Sequence, residues 1–244
     1  MSAFRADFFR PMHIAQGGAD DKSKKKESEA ATDKSATKSG GRSRAAAAKR
    51  NRKKAAVVDP SENCAVYVVV EADVHYIDVF DTMPRVGKVK SCWINRPDGA
   101  HPRTSTVKLV FFAHAAAQRL LDSAGAWRLN GAAPHCAWDR HGVGPEDGAG
   151  KSRVLRVTGH ADFVSYDGLG AYFASKLRYE TQKVGVVRLG ATGITQVDWY
   201  FASYASQAQV ARMALERERP DVPGNAEGVR VEFRPDPCDP SGEV

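Results

Sequence analysis

Thr104–Leu121 reads TSTVKLVFFAHAAAQRLL, and this stretch decides the fold. Val107, Leu109 and Phe111 alternate with Thr106, Lys108 and Val110, the period of two that marks a strand with one apolar face. After Phe111–Phe112 the residues turn small, and Ala113, Ala117, Leu120 and Leu121 fall at helical spacing. Alanine is the strongest helix former, so a strand runs through a tight connection into an Ala-rich amphipathic helix. On the N-terminal side, Cys64–Val70 (CAVYVVV) is a strand with Val66, Val68 and Val70 inward and Tyr67 outward. Asp73 is placed to cap a helix carrying Val74, Ile77 and Phe80, and Pro84 ends it. Val89–Ile94 is the next strand, and Arg96-Pro97-Asp98-Gly99 is turn chemistry. On the C-terminal side, Leu129-Asn130-Gly131 leads into a strand at His135–Trp138. The order is β-α-β-β-α-β, a split βαβ pattern.

The same order recurs downstream. Arg153–Thr158, Lys183–Leu189, Gln196–Phe201 and Gly228–Phe233 are strands, with Val197, Trp199 and Phe201 inward. Tyr166–Leu177 and Ser206–Arg217 are helices, the first with Leu169, Tyr172, Phe173 and Leu177 on its apolar side. Between the repeats, His141–Gly150 holds four glycines and reads as a flexible linker. Pro235, Pro237 and Pro240 read as an open tail.

Both repeats resemble the RNA-recognition motif (RRM) family. Val107, Leu109 and Phe111 match the inward fourth, sixth and eighth positions of its RNP1 motif on the third strand. The third and fifth positions, which present rings to RNA in that family, fall on Thr106 and Lys108. Val66-Tyr67-Val68 matches the aliphatic–aromatic–aliphatic triplet of RNP2, and Gly87-Lys88-Val89 resembles the glycine turn into strand two. In the second repeat the ring positions fall on Arg156, Gln196 and Asp198, none aromatic. The resemblance implies an α+β fold of two ferredoxin-like domains that hold single-stranded RNA on the open face of a four-stranded sheet. It implies RNA contacts by Tyr67, Lys90, Thr106, Lys108 and Arg156, although Arg156 is also placed to pair with Asp198 on the neighbouring strand. Trp93 and Trp138 lie on adjacent strands, and alternation alone leaves their facing open.

Composition sharpens this picture. The 244-residue chain carries a net charge of +7. Residues 1–60 hold 15 of the 36 Lys/Arg and 7 of the 29 Asp/Glu, so the basic excess lies there and the remainder is almost neutral. Residues 16–57 are rich in Lys, Ser, Ala and Gly and lack apolar mass, which predicts disorder. Within them Lys49, Arg50, Arg52, Lys53 and Lys54 form a dense basic run, a nuclear-import or phosphate-binding signal or a solvated charge run. Cys64, Cys92, Cys136 and Cys238 lie far apart, giving neither a disulfide framework nor a zinc pattern. The spacing of His135, Cys136 and His141 matches no common zinc site. No apolar run approaches the roughly 18 residues of a membrane span. No nucleophile elbow, zinc-helix motif or phosphate-binding glycine loop occurs, so neither catalysis nor a cofactor is expected.

The domain plan is therefore a disordered basic tail (1–60), a first RRM-like domain (61–141), a linker (142–151), a second RRM-like domain (152–235) and a C-terminal tail (236–244). The expected function is RNA binding by the first sheet with help from the tail, in the nucleus or in nucleus and cytoplasm. The alternative is an RRM-like protein-interaction scaffold, with protein partners docking through the second domain.

Overall fold

The computed structural model describes residues 58–189, 193–218 and 228–244. The expected disordered tail and the Lys49–Lys54 run therefore lie outside the described residues, apart from 58–60. Each repeat forms one four-stranded antiparallel sheet backed by two helices. In the first, β1 (Ala65–Val70), α1 (Tyr76–Thr82), β2 (Val89–Asn95), β3 (Ser105–Phe111), α2 (His114–Ser123) and β4 (His135–Trp138) give the sheet order β2-β3-β1-β4. In the second, β5 (Val154–His160), α3 (Tyr166–Lys176), β6 (Thr181–Leu189), β7 (Ile194–Phe201), α4 (Gln209–Glu218) and β8 (Arg230–Arg234) give β6-β7-β5-β8. This is the tandem RRM fold that the order of elements predicts.

The apolar alternation read from the sequence is the core. Val66, Val68, Val107, Leu109 and Phe111 are fully buried beneath α1 and α2, as are Val197 and Phe201 in the second repeat. At roughly 1.5–3 kcal/mol for each large side chain buried, these inward rows dominate the stability of each sheet. Helix starts follow local chemistry, with one correction. Asp73 does not cap α1: its carboxylate binds Arg96, and the cap is made by Asp78, whose Oδ2 accepts the His75 N–H at 2.8 Å. Ser165 caps α3, its Oγ accepting the Gly168 N–H at 3.1 Å. Before α4 the chain makes one π-helical turn, Tyr204–Ala208. There Gln207 Oε1 accepts the N–H groups of Ala202 and Ser203, both at 3.1 Å, fixing the exit from β7.

Two further readings change. The glycine-rich connector is not loose. Its Val143 carbonyl accepts the Cys64 N–H at 2.7 Å, the Phe112 carbonyl accepts the Glu146 N–H at 2.9 Å, and Lys88 Nζ donates to Gly148 O at 3.1 Å. Nor is the proline-rich end an open tail. Asp236 and Cys238 are buried, and Cys238 belongs to the apolar core of the first repeat. The Gly87 N–H donates to Cys238 O at 2.9 Å, and the Val89 N–H to Asp236 Oδ2 at 3.0 Å. Gly87 sits at φ +150°, and a Cβ there would lie 2.6 Å from Ala116 Cβ, so only glycine fits between α2 and the C-terminal strap formed by residues 236–238.

The repeats are thereby joined. The Cys92 N–H donates to Ala202 O at 2.8 Å, and Ser91 bridges to Ser203, so the outer edge of β2 is covered by the chain leaving β7. At the centre lies Arg153, 0% exposed. It meets Asp236 (3.0 Å at the closest nitrogen), Gln182 Oε1 (2.8 Å) and Phe201 O (3.1 Å), and its guanidinium stacks 3.7 Å over the Phe80 ring of the first repeat. Burial, the largest influence, opposes the charge, but the Asp236 carboxylate and the Cys238 sulfur together keep the Arg153 pKa raised.

Candidate nucleic-acid interface

Opposite the helices, the first sheet has a face that is uncovered among the described residues, and its residues fall into cross-strand rows. Tyr67 on β1 is registered against Lys108 on β3, and Lys108 against Trp93 on β2. Ala137 on β4 closes this row beside Tyr67. Trp93 is 62% and Tyr67 37% exposed, so an aromatic–lysine–aromatic row faces solvent across three strands. The adjacent row runs Asn95, Thr106, Val69 and His135. Trp93 Nε1 donates to Asn95 Oδ1 at 3.0 Å, and Asn95 Nδ2 donates to Thr106 Oγ1 at 3.1 Å. These bonds tie the indole to its neighbouring row and leave its ring face free.

Of the residues singled out in the sequence, Tyr67, Thr106 and Lys108 are brought together. The Lys108 ammonium lies 3.2 Å from Asp139 Oδ1 and donates to His141 O at 3.3 Å, so it is drawn toward the end of β4. Lys90 does not join them. It is the extra residue at an irregularity between Val89 and Ser91, and its ammonium lies 2.6 Å from Glu146 in the connector. Glu146 also meets Lys151 at 2.8 Å; bonds from Lys151 and then Lys90 hold its carboxyl below the usual range.

Arg156 lies on the second sheet and is fully engaged. Its Nε and Nη2 donate to the two Asp198 carboxylate oxygens at 2.6 and 2.7 Å, the bidentate geometry that gives the strongest neutral-sum pairs. Those bonds, offset by partial burial, raise its pKa. Glu232 on β8 stands opposite it on the other side. A phosphate would have to displace a carboxylate there. Exposed apolar residues of this repeat lie on the edge strand β6, at Val186, Val187 and Leu189, and on the helices, at Tyr166, Val210 and Met213.

Trp93 was not assignable by alternation, and the irregularity explains why. Val89 is buried, so a strict period of two from it points Trp93 inward as well. The inserted residue flips the phase: Cys92 becomes buried and Trp93 turns out. The apolar pair Cys92 and Ile94 flanking Trp93 is the sequence signal for this, and Val89 contradicts it. Trp138 goes the other way. It is registered against the core residue Val66 and stacks on His114 of α2, centroids 5.0 Å apart, so it is not part of the open face.

No protein-family model matches the sequence, and no curated protein matches it. Among solved structures the chain is similar to the Sex-lethal RNA recognition domains 1 and 2 from Drosophila melanogaster, at 16% identity over 69% of this chain and 99% of that one, TM-score 0.26. It is similar to the first two RRM domains of yeast poly(U)-binding protein, at 11% identity over 69% and 98%, TM-score 0.26. It is also similar to RRM domains 1 and 2 of Prp24 from S. cerevisiae, at 9% identity over 70% and 96%, TM-score 0.28. Likeness at these TM-scores carries no argument about ligands; the tandem RRM fold rests on the strand pairing itself. Among the described residues no helix is long and apolar enough to cross a membrane.

Proposed function

We propose that this protein binds single-stranded RNA on the open face of its first sheet. The observation that carries the reading is the solvent-facing row of Trp93, Lys108 and Tyr67, with Thr106 beside it. Each base stacked on an aromatic ring contributes roughly 1–3 kcal/mol, and two rings on one face suffice for moderate affinity. Thr106 supplies a hydroxyl for a base or a 2′-OH, and Lys108 supplies a cation for the backbone when a phosphate takes the place of its partner Asp139. The run Lys49, Arg50, Arg52, Lys53 and Lys54 adds salt-sensitive, sequence-blind attraction, and as an import signal it directs the protein to the nucleus. The second repeat plays a different part. Its sheet is neutralised by the Arg156–Asp198 pair, and its exposed Val186, Val187 and Leu189 favour a protein partner.

The test is binding of the full chain to a random RNA pool at two salt concentrations. Trp93→Ala and Tyr67→Ala should each weaken binding at least fivefold. Replacing the five basic residues of the run by Gln should flatten the salt dependence instead. If both ring variants bind as well as the parent, the face is not an RNA site. Val187→Glu leaves RNA affinity unchanged if β6 serves a protein.

A further inference from the structure

β6 is the outermost strand of the second sheet, and among the described residues no strand pairs with its outer side. Natural sheet edges are blunted by charge, proline or a bulge. Here the irregularity comes early, between Thr181 and Lys183, and Val184–Val187 carries no charge. Val186 and Val187 are each about half exposed. Gly185 stands among them, although glycine inside a strand weakens it. Neither backbone conformation nor crowding among the described residues requires it. Its φ lies outside the left-handed region, and a Cβ there would meet nothing nearer than Asp198 Cβ at 3.9 Å. The space over Gly185 is therefore room that the chain's own packing does not use.

Resting on the reading of β6 as a protein surface, we infer that its occupant is a second copy of this chain. The two β6 strands lie antiparallel about a two-fold axis at Val187. The register follows by elimination. Gly185, Val187 and Leu189 are paired with Asp198, Gln196 and Ile194, so they share the open face; Val186 and Arg188 share the helix face. The start of β6 is closed to a partner. Asp81 of α1 accepts Gln182 Nε2 at 2.6 Å and Lys183 Nζ at 3.0 Å, so the first repeat stands beside it. An axis at Gly185 or Val186 carries the partner strand back to Lys183 and into α1. An axis at Arg188 sets two guanidiniums opposite one another, and like charges so placed are destabilising. The axis at Val187 avoids both. Val187 then meets itself, Arg188 lays its alkyl stem against Val186, and Leu189 of each copy enters the space over Gly185 of the other. Residues 185–189 on each side are far fewer than the roughly 20–30 of a standard interface, so the dimer is weak and concentration-dependent.

The experiment is sedimentation equilibrium of the full chain, without RNA, over about a hundredfold range of concentration. The parent should pass from monomer toward dimer. Val187→Glu and Val187→Lys should each weaken the dimer at least tenfold, because like charges meet on the axis. An equimolar mixture of the two should dimerise at least as well as the parent. Gly185→Val should weaken the dimer at least fivefold, because it fills the space that Leu189 enters, while its urea midpoint stays at or above the parent's. A parent that stays monomeric overturns the second copy and leaves β6 to a different protein. A dimer that Gly185→Val strengthens, or that mixing the two Val187 variants does not restore, pairs elsewhere and overturns it as well. If Val187→Glu lowers RNA affinity, the reading of β6 as a protein surface fails too.

Discussion

Asp236→Ala tests whether the buried ion pair joins the two repeats. The Asp236 carboxylate is 1% exposed and receives Arg153 Nε at 3.1 and 3.2 Å, Arg153 Nη2 at 3.0 Å, the Val89 N–H at 3.0 Å and the Cys238 N–H at 3.1 Å. Removing it leaves a fully buried guanidinium with, among the described residues, Gln182 Oε1, the Phe201 carbonyl and the Cys238 sulfur as acceptors, above the Phe80 ring. Breaking a buried pair in this way costs about 3–5 kcal/mol. Two orphaned N–H groups push toward the upper end, but they share one network with the charge and their costs do not simply add. Against a total stability of roughly 5–15 kcal/mol, this is a large loss. The place of the loss matters as much as its size. Asp236 ties β5 to β2 through the strap, so the parent should unfold in urea in one transition. Asp236→Ala should split it in two, read by tryptophan fluorescence and circular dichroism on the full chain. The double variant Arg153→Met/Asp236→Ala should recover most of the loss, because it removes the buried charge along with its partner. A cost below about 1 kcal/mol for Asp236→Ala, or a double variant as unstable as the two single losses summed, would refute the reasoning.

Three other outcomes follow from the same geometry. Gly87→Ala should cost about 1–3 kcal/mol in urea unfolding, because its Cβ would press on Ala116 at 2.6 Å and its φ is +150°. Stability should hold below pH 9 and fall as pH rises beyond it. Burial pushes the Cys238 thiol up from 9.0 to about 12 and raises Cys92 as well. The unfolded chain then sheds protons above pH 9 that the folded chain keeps, at a cost of roughly 1 kcal/mol per pH unit per thiol. Urea midpoints between pH 7.5 and 10.5 check this, and Cys238→Ala should show a shallower alkaline decline. Finally, Asp198→Ala frees Arg156 on the second sheet. RNA affinity at low salt should rise two- to tenfold, and the log–log salt slope should steepen by roughly 0.7 in fluorescence anisotropy.

The sequence by itself determined the layers. Alternation at Val107, Leu109 and Phe111, and at Val197, Trp199 and Phe201, is a local signal, because burial on one face of a strand requires it whatever the strand's partners are. Tyr67, Thr106 and Lys108 could be placed on one face by the same logic, since the strands carrying them keep an unbroken phase. Only the tertiary structure decided the rest. Trp93 depended on one inserted residue, whose effect is visible only when β2 is laid against β3. Lys90 was drawn to Glu146, because a charge goes to the nearest opposite charge in space, and sequence distance does not measure that; the Arg156–Asp198 pair, by contrast, followed from the adjacency of the strands that carry them. The connector and the proline-rich end read as loose for the same reason. Their composition forbids a regular element, yet their hydrogen-bonding groups find partners on strands far away in the chain, and Asp236 and Arg153 meet across 83 positions. Periodicity is written along the chain; closure, register and charge pairing come into being only when its distant parts touch.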